Sequence, residues 1–157
     1  MSLSNVKEYL KNYNLENKIQ TFNESSATVE LAAKALNTEE KRIAKTMAFT
    51  LKDNSNILVV IAGNAKISNS KFKQTFNSKA HMVPIDKLEE VIGHPIGGVC
   101  PFAVNNNVKV YLDESLKEFE TVFPACGTPA SAIELTIGEL EATSNYISWV
   151  DISEKIL

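Results

Sequence analysis

Two apolar segments joined by a short polar turn constrain the fold of this chain more than any other feature. The first covers residues 43–51, and the second, residues 57–62, is an unbroken run of six apolar residues. The residues between them, 52–56, read Lys-Asp-Asn-Ser-Asn and are typical of a turn. We therefore predict a β-hairpin whose second strand is fully buried.

The rest of the chain predicts short elements with short connections. Apolar periodicity and helix-capping residues predict helices over residues 4–13, 29–36, 69–76, 86–92 and 136–143. The cap of the second helix is expected within residues 25–28, which end at Thr28, and that of the third at Ser68 or Asn69. Capping boxes are expected for the last two helices, at Asp86 with Glu89 and at Thr136 with Glu139. Further strands are predicted over residues 19–22, 81–83, 108–112, 121–123, 132–135 and 146–150. Because strands outnumber long helices, we expect one domain spanning residues 1–157, of the α+β or mixed α/β class, around a single sheet.

Composition excludes several classes of protein. Sixteen basic residues stand against nineteen acidic ones, a net charge of −3, whereas proteins that bind duplex DNA or RNA usually carry a positive excess. No apolar run approaches the roughly twenty residues of a membrane span, and no signal peptide is evident, so we expect a cytoplasmic protein. Residues 54–85 contain four lysines and no acid; they form either a solvated face or a local patch for the end of a polyanion.

Lys45 is the first residue that suggests chemistry. In the strand over residues 43–51, alternation places Lys45 in register with the large apolar residues Ile43, Met47 and Phe49. A lysine in that register either extends to water along its aliphatic stem or points its ammonium into a pocket, where it would meet an anionic or carbonyl oxygen. The pattern alone leaves both possibilities open.

The second such feature is the loop over residues 93–101, which holds three of the six glycines and two of the five prolines. Glycine permits close approach of the backbone to a ligand, and a stiff loop with exposed N–H groups suits an oxyanion or phosphate pocket. An ordinary tight turn is the alternative.

Cys100 within the loop is either a buried thiol or a nucleophile paired with His94. With two cysteines and two histidines at unsuitable spacing, we expect no metal site.

Five motifs in order along the chain resemble the YbaK/prolyl-tRNA-synthetase-associated editing domain family. The motifs are Ile43-Ala44-Lys45-Thr46-Met47-Ala48-Phe49, Ile57-Leu58-Val59-Val60-Ile61-Ala62-Gly63, Gly97-Gly98-Val99-Cys100-Pro101-Phe102, Val110-Tyr111-Leu112-Asp113-Glu114-Ser115-Leu116, and the turn Gly127-Thr128 leading to Ala132-Ile133-Glu134-Leu135. The resemblance implies a curved, mixed β-sheet of about six or seven strands with flanking helices.

The resemblance also implies trans-editing, in which the ester joining a wrong amino acid to the 3′ end of a tRNA, here of the tRNA-Pro type, is hydrolysed. The amino acid would be a small one, such as Ala, Cys, Ser or Thr. No metal, cofactor or covalent intermediate is implied, and the partners would be the aminoacyl end of the tRNA and a synthetase, with no membrane and no duplex DNA.

The same resemblance suggests which residues form the site. Lys45 would hold the terminal adenosine or its phosphate, and the backbone of residues 97–100 would hold the scissile carbonyl while water attacks. Lys45 and Gly98 are the expected catalytic residues. The expected substrate-binding residues are His94, Gly97, Val99, Cys100, Pro101, Gly127 and Thr128.

Two other functions are consistent with the residues. A non-catalytic module that binds a tRNA end, a nucleotide or a synthetase would explain why no general base is obvious. A thiol hydrolase would use Cys100 as its nucleophile.

Overall fold

A computed structural model describes residues 2–23, 25 and 28–156, and this part of the chain forms a mixed α+β fold. The helices are α1 (Ser2–Lys11), α2 (Val29–Leu36), α3 (Asn69–Phe76), α4 (Leu88–Val91) and α5 (Ile137–Ser144). The strands are β1 (Gln20–Thr21), β2 (Ile43–Thr50), β3 (Asn56–Ala62), β4 (Ala65–Ile67), β5 (His81–Met82), β6 (Lys109–Asp113), β7 (Thr121–Pro124), β8 (Ser131–Ala132), β9 (Leu135–Thr136), β10 (Tyr146–Val150) and β11 (Ser153–Lys155).

A seven-stranded mixed sheet forms the centre of the fold, as the resemblance implied. Its order is β10-β6-β3-β2-β7-β9, and β5 also pairs with β2. The predicted hairpin is confirmed: β2 and β3 are antiparallel, with Ala44 opposite Ala62 and Thr50 opposite Asn56. Side chains 57–62 of β3 are at most 1% exposed, so this strand is buried on both faces, as its apolar run predicted.

The outer edge of β2 is divided between two short strands. At one end β7 runs parallel to it beside Ile43 and Ala44. At the other end β5 runs antiparallel to it beside Phe49 and Thr50. The middle of β2 therefore has a strand neighbour only on the β3 side, and this gap in the sheet positions the candidate site.

Three helices begin at the capping residues that the sequence predicted. The hydroxyl of Thr28 accepts from the N–H of Leu31 at the start of α2, and Ser68 caps α3. Thr136 and Glu139 form a reciprocal capping box at α5. These contacts are local in sequence, which is why the residue pattern alone finds them.

The capping box predicted at Asp86 and Glu89 is wrong. Residues Ile85–Lys87 form a 3₁₀ turn, and α4 follows without a side-chain cap. The N–H of Lys87 donates to the carbonyl of Pro84 at 2.9 Å. Because this i→i+3 bond forms the 3₁₀ turn, Asp86 lies inside the turn and not at the position that would cap the helix.

The strand predicted over residues 132–135 is also wrong, because the chain changes sheets there. Ala132 pairs with Gln20 in the small β1–β8 sheet, and Leu135 pairs with Val122 of β7. A second small sheet, β4–β11, was not predicted. The expectation of a single sheet therefore holds for the central sheet only.

Helices α1 and α3 cover the central sheet and close the main core. Val6 and Leu10 of α1 and Phe72 of α3 are fully buried, and the ring of Phe72 lies 4.8 Å from that of Phe49 in β2. Asp113, also fully buried, accepts from the N–H of Ile152 at 2.9 Å and so ties the C-terminal segment to β6. In the described residues no helix is long and apolar enough to cross a membrane.

Candidate functional site

A cavity of about 280 Å³ opens where the outer edge of β2 lacks a strand partner. Helix α2, the segment around β5 and α4, the glycine loop and the β7–β8 region complete its wall. The lining residues are Thr28, Val29, Ala32, Ile43, Ala44, Lys45, Thr46, Met47, Ala48, Met82, Val83, Ile85, Leu88, Ile96, Gly97, Val99, Phe123, Ala125, Ser131 and Ala132. Most are apolar, which is typical of pockets that bind small molecules or parts of larger ones.

Lys45 lies in the cavity wall and is half-buried. Burial lowers the pKa of its ammonium below the usual 10.5, because removal from water disfavours the charged form. Within the described part of the chain no carboxylate lies within ion-pair distance of it. Lys45 is also the single charged residue among the described lining residues, so the cavity presents one uncompensated positive charge.

Both faces of β2 contribute to the cavity, which strand alternation alone did not predict. Six consecutive residues, 43–48, line it. The reason is the open edge of the strand, since a cavity that reaches an unpaired edge contacts side chains of both alternations as well as the backbone.

The two glycine turns pack directly against each other. The N–H of Gly127 donates to the carbonyl oxygen of Gly98 at 3.0 Å, and a Cβ atom on Gly98 would lie 2.3 Å from the carbonyl carbon of Gly127. Gly97, with φ of +83°, and Gly127, with φ of +93°, occupy the left-handed region that glycine tolerates best. The loop over residues 93–101 is therefore shaped by close backbone packing.

Two backbone N–H groups of this loop have no acceptor in the described part of the chain. Gly97 and Val99 line the cavity, and their N–H groups donate to no acceptor in the described chain. The N–H of Gly98, in contrast, donates to the carbonyl of Pro95 at 3.0 Å. Gly98 thus permits the close packing of the two turns because it lacks a side chain, and the unpaired N–H groups belong to its neighbours on either side.

Five of the expected site residues lie behind the cavity wall. The residues that are buried and do not line the cavity are His94, Gly98, Cys100, Pro101 and Gly127. Thr128 does not line it either, but its hydroxyl lies 2.8 Å from that of Ser131, which does.

The surroundings of Cys100 disfavour a thiolate. Its side chain is fully buried, and this burial raises the pKa of the thiol to about 12. His94 Nε2 is 3.5 Å from Cys100 Sγ but only 2.6 Å from the carbonyl oxygen of Phe102. A bond to a carbonyl oxygen requires Nε2 to carry a proton, so this nitrogen cannot act as the base for the thiol.

Two hydroxyl residues of the wall were missed by the sequence analysis. Ser131 is 1% exposed, and Thr46 Oγ1 is buried without a hydrogen-bond partner in the described chain. Both are small residues within strands and resemble ordinary strand residues in sequence. The single available signal was that Thr46 directly follows Lys45.

Comparisons with known proteins identify the family. The family model described as "Aminoacyl-tRNA editing domain" matches residues 23–143. The chain belongs to this family. It is 48% identical over 152 residues, 97% of each chain, to the protein of Bacillus subtilis named "Uncharacterized protein YwhH".

Two further relatives carry names that refer to tRNA. The protein of Enterococcus faecalis named "Putative Cys-tRNA(Pro)/Cys-tRNA(Cys) deacylase EbsC" is 27% identical over 115 residues, which cover 73% of this chain and 70% of that one. A solved structure described as "a putative trans-editing enzyme for prolyl tRNA synthetase" is 26% identical. It superimposes on this editing domain with a TM-score of 0.86 and covers 98% of this chain and 97% of that one. The fold implied by the resemblance is thereby confirmed.

Proposed function

We propose that this chain is a trans-editing deacylase that hydrolyses the ester of a tRNA mischarged with a small amino acid. The tRNA is of the tRNA-Pro type, in keeping with the names of the two relatives that refer to tRNA. Residues 1–157 act as one editing unit in the cytoplasm, with the aminoacyl end of the tRNA as ligand and a synthetase as a further partner.

The observation that carries the proposal is the uncompensated ammonium of Lys45 in a largely apolar cavity of an editing domain. A charge that is partly removed from water needs an opposite charge or a strong acceptor. The terminal adenosine of a tRNA brings a phosphate that can meet the ammonium, and the side chain of a small amino acid can contact the apolar wall beside it. One site therefore suits both halves of this substrate.

The hydrolysis itself needs little from the protein. A water oxygen bonds to the ester carbonyl carbon, negative charge develops on the carbonyl oxygen, and the bond to the ribose 3′ oxygen then breaks. The free N–H groups of Gly97 and Val99 are the donors for that developing charge. The described wall includes no Asp, Glu, His or Cys, so the proton of the water passes through the neighbouring ribose hydroxyl to the leaving 3′ oxygen.

Selection among amino acids depends on the size of the cavity. At about 280 Å³ the cavity holds a small aminoacyl group beside part of a ribose. Val29 and Ala32 of α2 form part of its wall. One methylene in an apolar pocket changes binding by about 1–3 kcal/mol, which gives selection by size without a dedicated polar contact.

A deacylation panel tests the proposal. The protein is incubated with tRNA-Pro carrying Ala, Cys, Ser or Thr, each with and without EDTA, and the remaining ester is measured with time. We expect hydrolysis of at least one ester at a rate that EDTA does not change. Hydrolysis of none of the four esters would contradict the proposal.

A second candidate function is a non-catalytic module that binds the tRNA end. It is favoured by the absence of a side-chain base from the described cavity wall. Filter binding of the same four aminoacyl-tRNAs distinguishes the two functions, since stable complexes without loss of ester would support the second.

A further inference from the structure

The open edge of β2 leaves unpaired polar groups on the floor of the cavity. Strand β3 pairs with β2 from Ala44 to Thr50. On the opposite edge β7 pairs no further than Ala44, and β5 begins at Phe49. Thr46 lies in the middle of this gap and lines the cavity.

The register of the sheet determines which backbone groups face the gap. The carbonyl of Ala48 accepts from the N–H of Val83 at 3.0 Å, so it points away from β3. At the other end Ala62, the partner of Ala44, donates its N–H away from β2, to the hydroxyl of Ser115. Backbone groups alternate in direction along a strand. The N–H and carbonyl of Thr46 therefore point to the same edge as those of Ala44 and Ala48, and at Thr46 that edge is the gap.

The side chain of Thr46 adds a third unpaired group at the same point. Its Oγ1 is buried from water and has no hydrogen-bond partner in the described chain. A buried hydroxyl without a partner destabilises a protein. Such a group at a cavity wall indicates that a ligand or a bound water completes its hydrogen bonds.

The charge of the cavity indicates which chemical group of a ligand would bond to Thr46. An aminoacyl ester carries a cationic α-ammonium beside the ester carbonyl. The described wall contains no carboxylate and already contains the positive charge of Lys45. The ammonium must therefore be bound by neutral oxygen acceptors. Successive side chains of a strand point to opposite faces, so the hydroxyl of Thr46 lies across the strand edge from the Lys45 ammonium.

We infer that Thr46 binds the α-ammonium of the aminoacyl group through its backbone carbonyl oxygen and its hydroxyl oxygen. This inference rests on the proposed function, because it assumes an aminoacyl ligand. The ester carbonyl, which needs donors, is then directed to the N–H groups of Gly97 and Val99. Thr46 is thus a positioning residue that orients the ester and favours amino acids over their hydroxy acid counterparts.

The test compares two esters that differ in this group alone. Alanyl-tRNA carries the ammonium, and lactyl-tRNA carries a hydroxyl in its place. Thr46→Val removes the hydroxyl with almost no change in shape, and Thr46→Ser keeps it. The matched control is Thr50→Val, four residues along the same strand, because the Thr50 hydroxyl bonds Asn56 outside the cavity.

We expect Thr46→Val to lower kcat/KM for alanyl-tRNA about tenfold or more, which is typical for a lost hydrogen bond to a charged group. The loss for lactyl-tRNA should be clearly smaller, and Thr46→Ser should restore the preference. The urea midpoint of Thr46→Val should equal or exceed that of the wild type, because an unpaired buried hydroxyl has been removed. Thr50→Val should keep the wild-type ratio between the two esters.

Equal losses on the two esters, or no loss on either, would overturn the inference while the proposed function stands. If the wild type hydrolyses neither ester, calorimetry with the non-hydrolysable amide 3′-alanylamino-3′-deoxyadenosine and its lactyl counterpart decides the question. Weaker binding of the alanyl amide alone by Thr46→Val would then support the inference although the proposed function had failed. An unchanged or undetectable affinity for that amide would contradict it.

Discussion

At the scale of single residues, the candidate site places a few polar groups in an apolar wall. Lys45 could be found from sequence because a lysine in register with large apolar residues is rare in a strand. Thr46 and Ser131 could not, because a small hydroxyl residue is compatible with either face of a strand and its burial depends on neighbours distant in sequence. The role inferred for Thr46 follows from the gap beside β2, and Ser131 in β8 reaches the wall beside Thr128 of the second glycine turn.

The burial of Lys45 predicts how stability depends on pH. Its folded-state pKa is lowered below 10.5, so between the two pKa values the unfolded chain binds more protons and the stability of the wild type rises with pH. Lys45→Met has no ammonium at this position, so its stability lacks this dependence on pH. We expect Lys45→Met to be the more stable protein at pH 7 and its advantage to shrink towards pH 10, measured by urea denaturation.

The control for this experiment is Lys79→Met, at an exposed lysine. It should show no comparable dependence on pH. An advantage of Lys45→Met that stays constant or grows from pH 7 to pH 10 would show that desolvation does not lower the pKa of Lys45.

The two thiols are predicted to be inert in the folded protein. Cys100 and Cys126 are both fully buried, and burial raises the pKa of each. Since the thiolate is the reactive form, Ellman's reagent at pH 8 should modify neither thiol at an appreciable rate until urea unfolds the chain. Rapid modification of one thiol in the native protein, with loss of activity, would favour the thiol hydrolase.

At the scale of elements, sequence prediction succeeded where the determinants are local. Thr28, Ser68 and Thr136 cap helices through contacts three residues ahead. The division of residues 131–136 into two strands and the pairing of β4 with β11 depend on partners far along the chain. No local sequence pattern indicates which distant segments will pair, and these elements were therefore misassigned or missed.

The contact between the two glycine turns is predicted to tolerate no added atom. Because a Cβ on Gly98 would lie 2.3 Å from the carbonyl carbon of Gly127, Gly98→Ala must push the turns apart. We expect a loss of about 1–3 kcal/mol in the free energy of unfolding, typical of overpacking, together with loss of deacylation. The measurements are urea denaturation and the tRNA panel.

Gly138→Ala is the matched control. The nearest atom to its added Cβ, Thr136 Oγ1, lies 3.9 Å away, and alanine is favoured in a helix by about 0.5–1 kcal/mol. This variant should be as stable as the wild type or more so. Equal stability of Gly98→Ala and the wild type would show that the two turns do not pack as described.

At the scale of the whole molecule, the distribution of charge suits contact with one end of a tRNA. Of the four lysines in residues 54–85, Lys66 pairs with Glu154 and Lys71 with Asp151. Lys73 and Lys79 form no ion pair with a described carboxylate. The basic patch is therefore smaller than the sequence suggests, and residues 111–157 carry nine acidic residues against two lysines.

This distribution predicts weak binding of tRNA by the isolated protein. With few lysines available to neutralise phosphates, we expect a Kd of about 1 μM or weaker at physiological salt, and an affinity that falls further as salt is raised. Filter binding at several salt concentrations measures both. A nanomolar Kd at physiological salt without a partner protein would contradict this prediction.

The most direct test of the proposed function is the single-turnover rate at which the protein deacylates its best substrate from the panel, compared with the rate of Lys45→Ala. Lys79→Ala, at an exposed lysine that does not line the cavity, is the control. We expect Lys45→Ala to lose a hundredfold or more, roughly the effect of removing one essential polar contact at a catalytic site. Lys79→Ala should stay within about threefold of the wild type, because an exposed charge contributes little. Full activity in Lys45→Ala would contradict the assignment of this cavity as the editing site.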